Sequence, residues 1–527
     1  MTAILKPETR PGTGVVFTAG PEAIRMVRQA LYHRLKVDFP DLTQTVFSEL
    51  RSGSAAPETA VSMLEKLSSY TYLDPAAGRG VFLNVLHREL MVIQNLYRNG
   101  PDPDWLNERI CGIDVDPAMI NHCRRSLPFR PHLRLIDFLT AEITSLPDII
   151  IANPPYVRQE LLRPEYKSLV VSQARRDWPG LPVSARSDLY LYFILRVATV
   201  LNRNGVMTVI VPNGWLDNDF GAGLRQLFRS GLQLVELSDN GDARHFSVDV
   251  NTIIFTAVKQ PVDRRRLVAI DRGDAIRQVQ QEELAATPLG WYGTFFRCPD
   301  WLRPELLSNP RLIPLGEQLS VKTGIITGNN RKYYRRTPDD PGWTAAIRSP
   351  KETAAIEFYR NQAGNWLQME NVPFRLRQAP LLWTDLRGGR HLVVWNRDNL
   401  PFEHTFYGLT PLDRINQRTW ALLLNSTWIW LMVELFGRKS LGGGAVRLVK
   451  SDLLKIPLPR SDSLVFPADL DGFLRRPIGN WPQELEQPDR QAIDAIVFEA
   501  LGLTRRYDEC RRLTAELMAQ RERKSRS

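Results

Sequence analysis

The tetrapeptide Asn153-Pro154-Pro155-Tyr156 follows directly on the apolar run Asp148 to Ala152, so it sits where a strand ends. Its composition suits one kind of chemistry. An amino group on an aromatic ring is a poor nucleophile, because its lone pair is delocalised into the ring. Two acceptors holding its two N–H bonds draw the nitrogen towards tetrahedral geometry and release that lone pair. Asn153 can offer a side-chain carbonyl and Pro154 a main-chain carbonyl. Neither proline has an N–H and both fix φ, so the loop is stiff and presents acceptors without competing donors. Tyr156 supplies a ring on which an unstacked base could rest, a contact worth roughly 1–3 kcal/mol. An Asn-Pro turn closing a strand is the plainer alternative; the strand-end placement favours the chemical one.

A second group of residues could hold a nucleoside-like cofactor. Asp74-Pro75-Ala76-Ala77-Gly78-Arg79-Gly80 joins the end of a strand to a helical stretch. A turn with Ala76, Gly78 and Gly80 lets a ligand approach the backbone, although Gly-x-Gly alone fits many nucleotide binders. Asp114, followed by Asp116-Pro117, ends the next strand and could accept from both ribose hydroxyls. Asp137-Phe138 ends the one after: Asp137 could accept from an adenine amino group while Phe138 packs on the ring. Each aspartate alone is more often a cap or turn residue. Three such strand ends, followed on the next by Asn-Pro-Pro-Tyr, are hard to explain as a set of caps.

The elements that must position these residues are legible from about Leu73 to Lys259. Apolar runs at Ile110–Asp114, Leu133–Ile136, Asp148–Ala152, Val206–Val211, Leu234–Leu237 and Thr252–Phe255 alternate with stretches of helical spacing such as Leu189 to Leu201. This predicts an α/β fold with a doubly wound, mostly parallel, Rossmann-like sheet. Ligands on such sheets bind at the carboxyl ends of the strands, where the polar residues above fall. The chain has 527 residues and 43% hydrophobic residues, more than one ordinary core requires. We expect a cofactor-binding catalytic domain over 1–262, a charged connecting segment over 263–300, an α+β domain over 301–460, and a C-terminal loop and helices over 461–527. The last helical pair breaks at Gly502, and the Arg-rich end from Arg521 to Ser527 reads as a solvated tail.

Composition narrows the function further. The formal net charge of +10 fits a polyanionic partner. The cysteines Cys111, Cys123, Cys298 and Cys510 are far apart with no CxxC pair, which argues against a zinc site or disulfide framework and fits a reducing compartment. No metal is expected. The residues before Gly14 have no apolar core, so no signal peptide is read there. Trp420 to Phe436 is interrupted by Asn425, Ser426 and Glu434 and reads as a buried amphipathic helix. No membrane partner is expected.

With these motifs in order, the sequence resembles the gamma-class, TaqI-like N6-adenine DNA methyltransferases. Gly14-Val15-Val16-Phe17-Thr18 is similar to that family's leading motif, and Ser187-Asp188-Leu189-Tyr190 to the helix motif after the catalytic loop. Gly205 to Leu216 and His245 to Ile253 resemble the next two. The resemblance implies S-adenosyl-L-methionine as cofactor, with Thr18 near its methionine carboxylate, and places Phe246 beside Tyr156 against the flipped base. It implies a C-terminal target-recognition domain reading duplex DNA, opening at Val321 to Asn330 and closing near Leu453 to Pro459. Lys332, Arg335, Arg336, Arg438, Lys439 and Arg447 are then candidate DNA contacts, most of them to phosphate. Tyr333, Tyr334 and Trp395 are open between groove contact and core.

The implied activity is methyl transfer to adenine N6 in duplex DNA by base flipping, in the cytoplasm of a bacterium or archaeon. Restriction-modification or phage defence is the implied setting, with other subunits of such a system as further partners. The alternatives are a partner-dependent DNA-binding modification subunit, an RNA adenine or protein-glutamine methyltransferase, and a single-chain restriction-modification enzyme. Two departures stand out. Arg79 occupies a position where the family usually has a small residue, and Ala77 one where it often has Cys. Val92 to Asn107 reads as an insertion.

Overall fold

The computed structural model describes residues 4–5, 18–97, 104–240, 251–273, 275–337, 342–412, 416–439 and 445–526. The chain divides into two compact units, Met1–Ala286 and Thr287–Ser527.

The first unit is built on β1 (Tyr72–Asp74), β2 (Ile110–Asp114), β3 (His132–Leu135), β4 (Ile149–Ala152), β5 (Val206–Pro212), β6 (Gln233–Asp239), β7 (Thr252–Val258), β8 (Leu267–Asp271) and β9 (Ile276–Gln280). They form one sheet in the order β3-β2-β1-β4-β5-β7-β6-β8-β9. The pairs β3–β2, β2–β1, β1–β4 and β4–β5 are parallel, while β7 runs antiparallel between β5 and β6. Every residue of β4 is buried, which requires cover on both faces and explains why it reads as a continuous apolar run. The chain leaves β1 towards β2 and β3 on one side and reaches β4 on the other. The β1/β4 boundary is thus the switch point at which such sheets open a crevice.

The helix Gly20–Asp38 fixes the N-terminal part of the chain to this sheet. Ala23, Met26, Val27, Ala30, Leu31 and Leu35 are buried, and the helix packs against β4, β5 and β7. Its polar side is clasped as well. Arg25 pairs with Asp271 of β8, and Gln29 and His33 both reach Glu236 of β6. Arg28 pairs with Glu89, which also takes Arg51.

The segment expected to be a connection, 263–300, therefore carries two strands of the first sheet, and the first unit ends at Ala286. In β8 only Val268 and Ile270 are buried, so its alternation is short and is masked by the preceding Arg264-Arg265-Arg266.

The second unit centres on a sheet ordered Leu319–Thr323, Phe406–Pro411, Leu381–Thr384, Val393–Asn396 and Glu357–Phe358. Only the last pairing is parallel. The region 461–527 is part of this unit's core, since Leu464, Phe466, Phe473, Ile493, Val497, Phe498 and Leu517 belong to the same apolar cluster as the sheet. The helices Pro488–Leu501 and Tyr507–Arg526 do break at Gly502, whose φ is +73°. Arg521, however, is not on a solvated tail. It is 2% exposed and makes two hydrogen bonds to Glu434, at 2.9 and 3.1 Å.

Trp420 to Phe436 is not one amphipathic helix either. It is two buried helices, Gln417–Leu424 and Thr427–Phe436, bent by 55°. The Asn425 side chain accepts from the N–H of Val393 and donates to its carbonyl, both at 2.8 Å, and so pairs with the start of a sheet strand instead of continuing the helix. Among the described residues no single helix is long and apolar enough to cross a membrane. Tyr333, Tyr334 and Trp395 are core residues, each less than 10% exposed.

A buried polar network holds these helices to the sheet. Arg387 is buried, and burial pushes its guanidinium down to about 9. Its Nη1 lies 2.6 Å from His391 Nδ1. A guanidinium can only donate, so Nδ1 must be the unprotonated nitrogen and Nε2–H must donate to the Leu424 carbonyl at 2.8 Å. Burial, reinforced by Arg387, holds His391 well below the usual imidazole range. As pH falls through about 6.5, the unfolded chain takes up a proton that the folded chain refuses, and this costs up to about 1.4 kcal/mol per pH unit. Urea unfolding at about pH 7.5 and pH 5.5 should therefore show the parent losing more stability than His391→Gln on acidification, although the variant starts lower. Equal losses would contradict this assignment.

Candidate active site

β1 ends in Asp74, and the turn Pro75 to Gly80 leads into the helix Val81–Leu96. Gly78 and Gly80 have φ of +52° and +79°, a backbone conformation that L side chains rarely adopt. A Cβ at Gly80 would also meet Cys123 Sγ at 3.0 Å, so the second glycine lets the turn pack against the helix Pro117–Ser126. The turn is docked onto β2: Ala77 N–H donates to the Ile113 carbonyl at 2.9 Å, and Gly78 N–H to Asp114 Oδ2 at 2.8 Å. Asp114 Oδ1 takes the N–H of Asp116 at 2.8 Å. Asp114 thus shapes the glycine turn, a role that spacing alone did not reveal.

Asp74 is 2% exposed. Its Oδ1 accepts from the Ala76 N–H at 3.1 Å, while Oδ2 is buried with no hydrogen-bond partner. Burial, with Asp114 nearby, pushes its carboxyl up to about 8 against the lowering effect of the Ala76 N–H. Burial also raises Asp114. Asp137, just after β3, accepts from Leu139 N–H at 3.1 Å and from Thr140 Oγ1 at 2.9 Å, a turn-forming pattern. Phe138 packs on Phe193, with ring centroids 4.9 Å apart.

The loop after β4 is held at both ends. Val157 N–H donates to Pro155 O at 3.1 Å, Leu189 N–H to Val157 O at 2.9 Å, and Gln159 N–H to Asp188 Oδ1 at 3.1 Å. The Ser187 to Tyr190 segment therefore braces the Asn-Pro-Pro-Tyr loop. Asn153 Nδ2 donates to Thr18 Oγ1 at 3.0 Å. Tyr156 donates its hydroxyl to the Ile210 carbonyl at 3.2 Å and sits edge-on to Tyr190.

A cavity of about 140 Å³ runs along these strand ends. Thr18, Ala76, Gly78, Asp114, Asp137, Phe138, Asn153, Pro154 and Pro155 all line it. Asp74, Gly80 and Tyr156 do not; they lie in the turn and loop that frame it. Arg79 also lines the cavity and is itself exposed. Residues that the motifs did not single out complete the wall: Ile4, Val115, Met119, Ile136 and Tyr166. Ile4 is brought there because Arg163 donates to the carbonyls of Ile4 and Leu5. The Tyr166 hydroxyl is buried beside Asp137, and no motif spacing pointed to it. Phe246 and Gly14 to Phe17 lie outside the described residues. Among the described residues no cluster of three metal-ligating side chains occurs.

In the second unit the expected cationic contacts fall into two groups. Lys332 and Arg335 are exposed, lying over the rings of Tyr333 and Trp343 at 5.0 and 4.5 Å. Arg336 is exposed and donates to the Gly364 carbonyl at 3.4 Å. Arg438, Lys439 and Arg447 lie on a small three-stranded sheet. There Arg438 binds Asp452 through two hydrogen bonds, at 2.8 and 3.0 Å, and Arg447 binds Asp385 at 3.0 Å.

Comparison with known proteins places this architecture. The family model described as Eco57I restriction-modification methylase matches residues 136–246, which include the loop after β4. The type II methyltransferase M.PaeR7I of Pseudomonas aeruginosa is 35% identical over 529 residues, covering 82% of this chain and 87% of that protein. The type II methyltransferase M.BanIII of Aneurinibacillus aneurinilyticus is 29% identical over 197 residues, and there the match spans 33% of the relative's length. The type IIL restriction-modification enzyme MmeI, solved in complex with DNA, shares the fold with a TM-score of 0.61 at 12% identity, over 96% of this chain and 79% of that one. Given this sheet and glycine turn, and a relative aligned over most of both chains, the chain belongs to the type II restriction-modification methyltransferases, whose cofactor is S-adenosyl-L-methionine.

Proposed function

We propose that this protein methylates the exocyclic N6 of adenine in duplex DNA, as the modification enzyme of a restriction-modification system. The observation that carries the reading is the held side chain of Asn153 beside the Pro154 carbonyl, at the edge of a cavity whose chemistry fits the cofactor. The fit rests on several features. Asp74 Oδ2 is a buried oxygen without a hydrogen-bond partner, in a turn that two positive-φ glycines keep open. Asp114 and Asp137 keep acceptor capacity for hydroxyl and amino groups, and Ile136, Phe138 and Met119 offer apolar walls for a purine. Asp114, which lines the cavity, favours a ligand carrying positive charge.

The cofactor supplies an electrophilic methyl group on a sulfonium. The protein's own part is positioning and electrostatics. N6 lies inside the base-paired stack, so the adenine must rotate out, at a cost of a few kcal/mol. Asn153 Oδ1 and the Pro154 carbonyl then accept the two N6–H bonds, which localises the lone pair for in-line attack. The rigid prolines keep these acceptors fixed while charge develops. In this reading Tyr156 and Phe246 flank the flipped base. Lys332, Arg335 and Arg336 offer exposed cations to phosphate. Arg438, Lys439 and Arg447 add to that charge, and Arg447 can exchange its carboxylate partner for a phosphate at little cost, since exposed ion pairs are weak. MmeI, which shares the fold, is solved in complex with DNA, in keeping with a DNA substrate here.

Three outcomes follow. Labelled methyl transfer to unmethylated duplex DNA, with the nucleosides resolved by mass spectrometry, should give N6-methyladenine, and Asn153→Ala should lower the rate by about 100-fold or more. A methylated cytosine as the product would overturn the adenine assignment. Asp74 has a folded pKa of about 8, above its unfolded value, so its contribution to stability falls as pH rises through that interval. At about pH 8, cofactor-free Asp74→Asn should therefore melt above the parent yet bind S-adenosyl-L-methionine about tenfold more weakly, and unchanged affinity would contradict the assignment. Lys332→Ala and Arg335→Ala should each weaken duplex binding equally on target and unrelated DNA and reduce the salt slope by about one, as phosphate contacts do.

A further inference from the structure

We infer that Thr18 is a positioning residue for Asn153, and that its hydroxyl decides which end of the Asn153 amide faces the substrate. The inference rests on the proposed reading of Asn153 as an acceptor. Thr18 Oγ1 accepts from Asn153 Nδ2 at 3.0 Å across 135 residues of chain, and both side chains line the cavity. Thr18 is 8% exposed and stands immediately before the helix Gly20–Asp38, whose clasp to β6 and β8 holds it in place.

The chemistry of the pair makes this contact directional. A primary amide has two ends of similar shape, and a half turn about its last torsion exchanges them. With oxygen towards the substrate, Asn153 accepts from the amine. With nitrogen towards it, N–H faces N–H and the acceptor is lost. A hydroxyl has one hydrogen and two acceptor sites, so Thr18 can hold either end. It holds the nitrogen only while its own hydrogen is spent elsewhere. The cofactor's carboxylate is an anionic acceptor of the required kind for a hydroxyl lining the same cavity. With its hydrogen given to such an acceptor, Thr18 would keep a lone pair for Asn153 Nδ2–H, as in the observed contact, and Asn153 Oδ1 would be left to face the amine. The hydrogen bonds run in one direction and reinforce one another.

The test uses the full-length protein with saturating S-adenosyl-L-methionine and unmethylated duplex DNA, and reads the single-turnover rate. Thr18→Val should lower that rate about tenfold, the scale of one hydrogen bond, even at saturating cofactor, and Thr18→Ser should restore it. In an Asn153→Ala background Thr18→Val should have no further effect on the rate, because Thr18 acts through the amide. A Thr18→Val variant that binds cofactor more weakly but turns over at the parental rate when saturated would overturn the inference and leave Thr18 a cofactor contact. So would a Thr18→Val effect that multiplies with Asn153→Ala. Full activity of Asn153→Ala alone would instead refute the underlying reading, an outcome distinct from both. Thr18→Ser controls for folding, and failure of Ser to rescue a folded Val variant also counts against the inference.

Discussion

The parallel pairing of β1 with β2 on one side and β4 on the other is the constraint on which this site depends. It brings Asp74, Asp114 and Asn153, distant in sequence, to one edge of a sheet. Each strand end is then finished by a backbone group that has nowhere else to go. The N–H of Gly78 is satisfied by Asp114, and the N–H of Ala76 by Asp74. The turn is held because its donors are bound to the buried Asp74 and to Asp114, which lines the cavity. Loosening either bond changes the shape of the turn and the charge of the cavity together.

Electrostatics divides the labour between the two units. The cavity of the first is lined by the half-buried carboxylates Asp114, Asp116 and Asp137, with Asp74 buried in the turn beside it, and burial raises Asp74 and Asp114 above their ordinary range. They offer acceptors to hydroxyl and amino groups and favour positive charge over negative. The second unit presents exposed cations at Lys332, Arg335 and Arg336, suited to a polyanion. It also buries charge for structure: Arg521 with Glu434, Arg490 with Glu484, and Arg387 against a neutral His391. Buried pairs of this kind are costly to break, because the remaining charge is left without compensation. The helices Thr427–Phe436, Pro488–Leu501 and Tyr507–Arg526 are therefore fixed components of the second unit's core and not appendages to it.

The strand-end residues were legible because each polar residue follows directly on an apolar run, and a parallel sheet gives that pattern one structural meaning. What escaped was pairing over long separations. Nothing near Arg521 announces that Glu434, 87 residues earlier, will bury it, so the C-terminal arginine reads as solvated. The break at Asn425 depends on Val393 on a neighbouring strand, which helical periodicity does not register. The β8–β9 hairpin was hidden because only alternate residues of β8 are buried and an arginine run precedes it. Tyr166 reaches the cavity from a helix that carries no motif. The Thr18–Asn153 bond joins two motifs that were each read separately, with Thr18 assigned to the cofactor alone.

The central claim is that the cavity along β1, β2 and β4 is where the cofactor lies, with Asn153 at its edge. Photo-crosslinking of methyl-labelled S-adenosyl-L-methionine to the intact protein, followed by peptide mapping, tests it most directly. Label is expected in peptides from 75–82, 114–119, 136–139 or 153–156, competed away by unlabelled cofactor. Competable label confined to the second unit, or to the opposite ends of these strands, would contradict it.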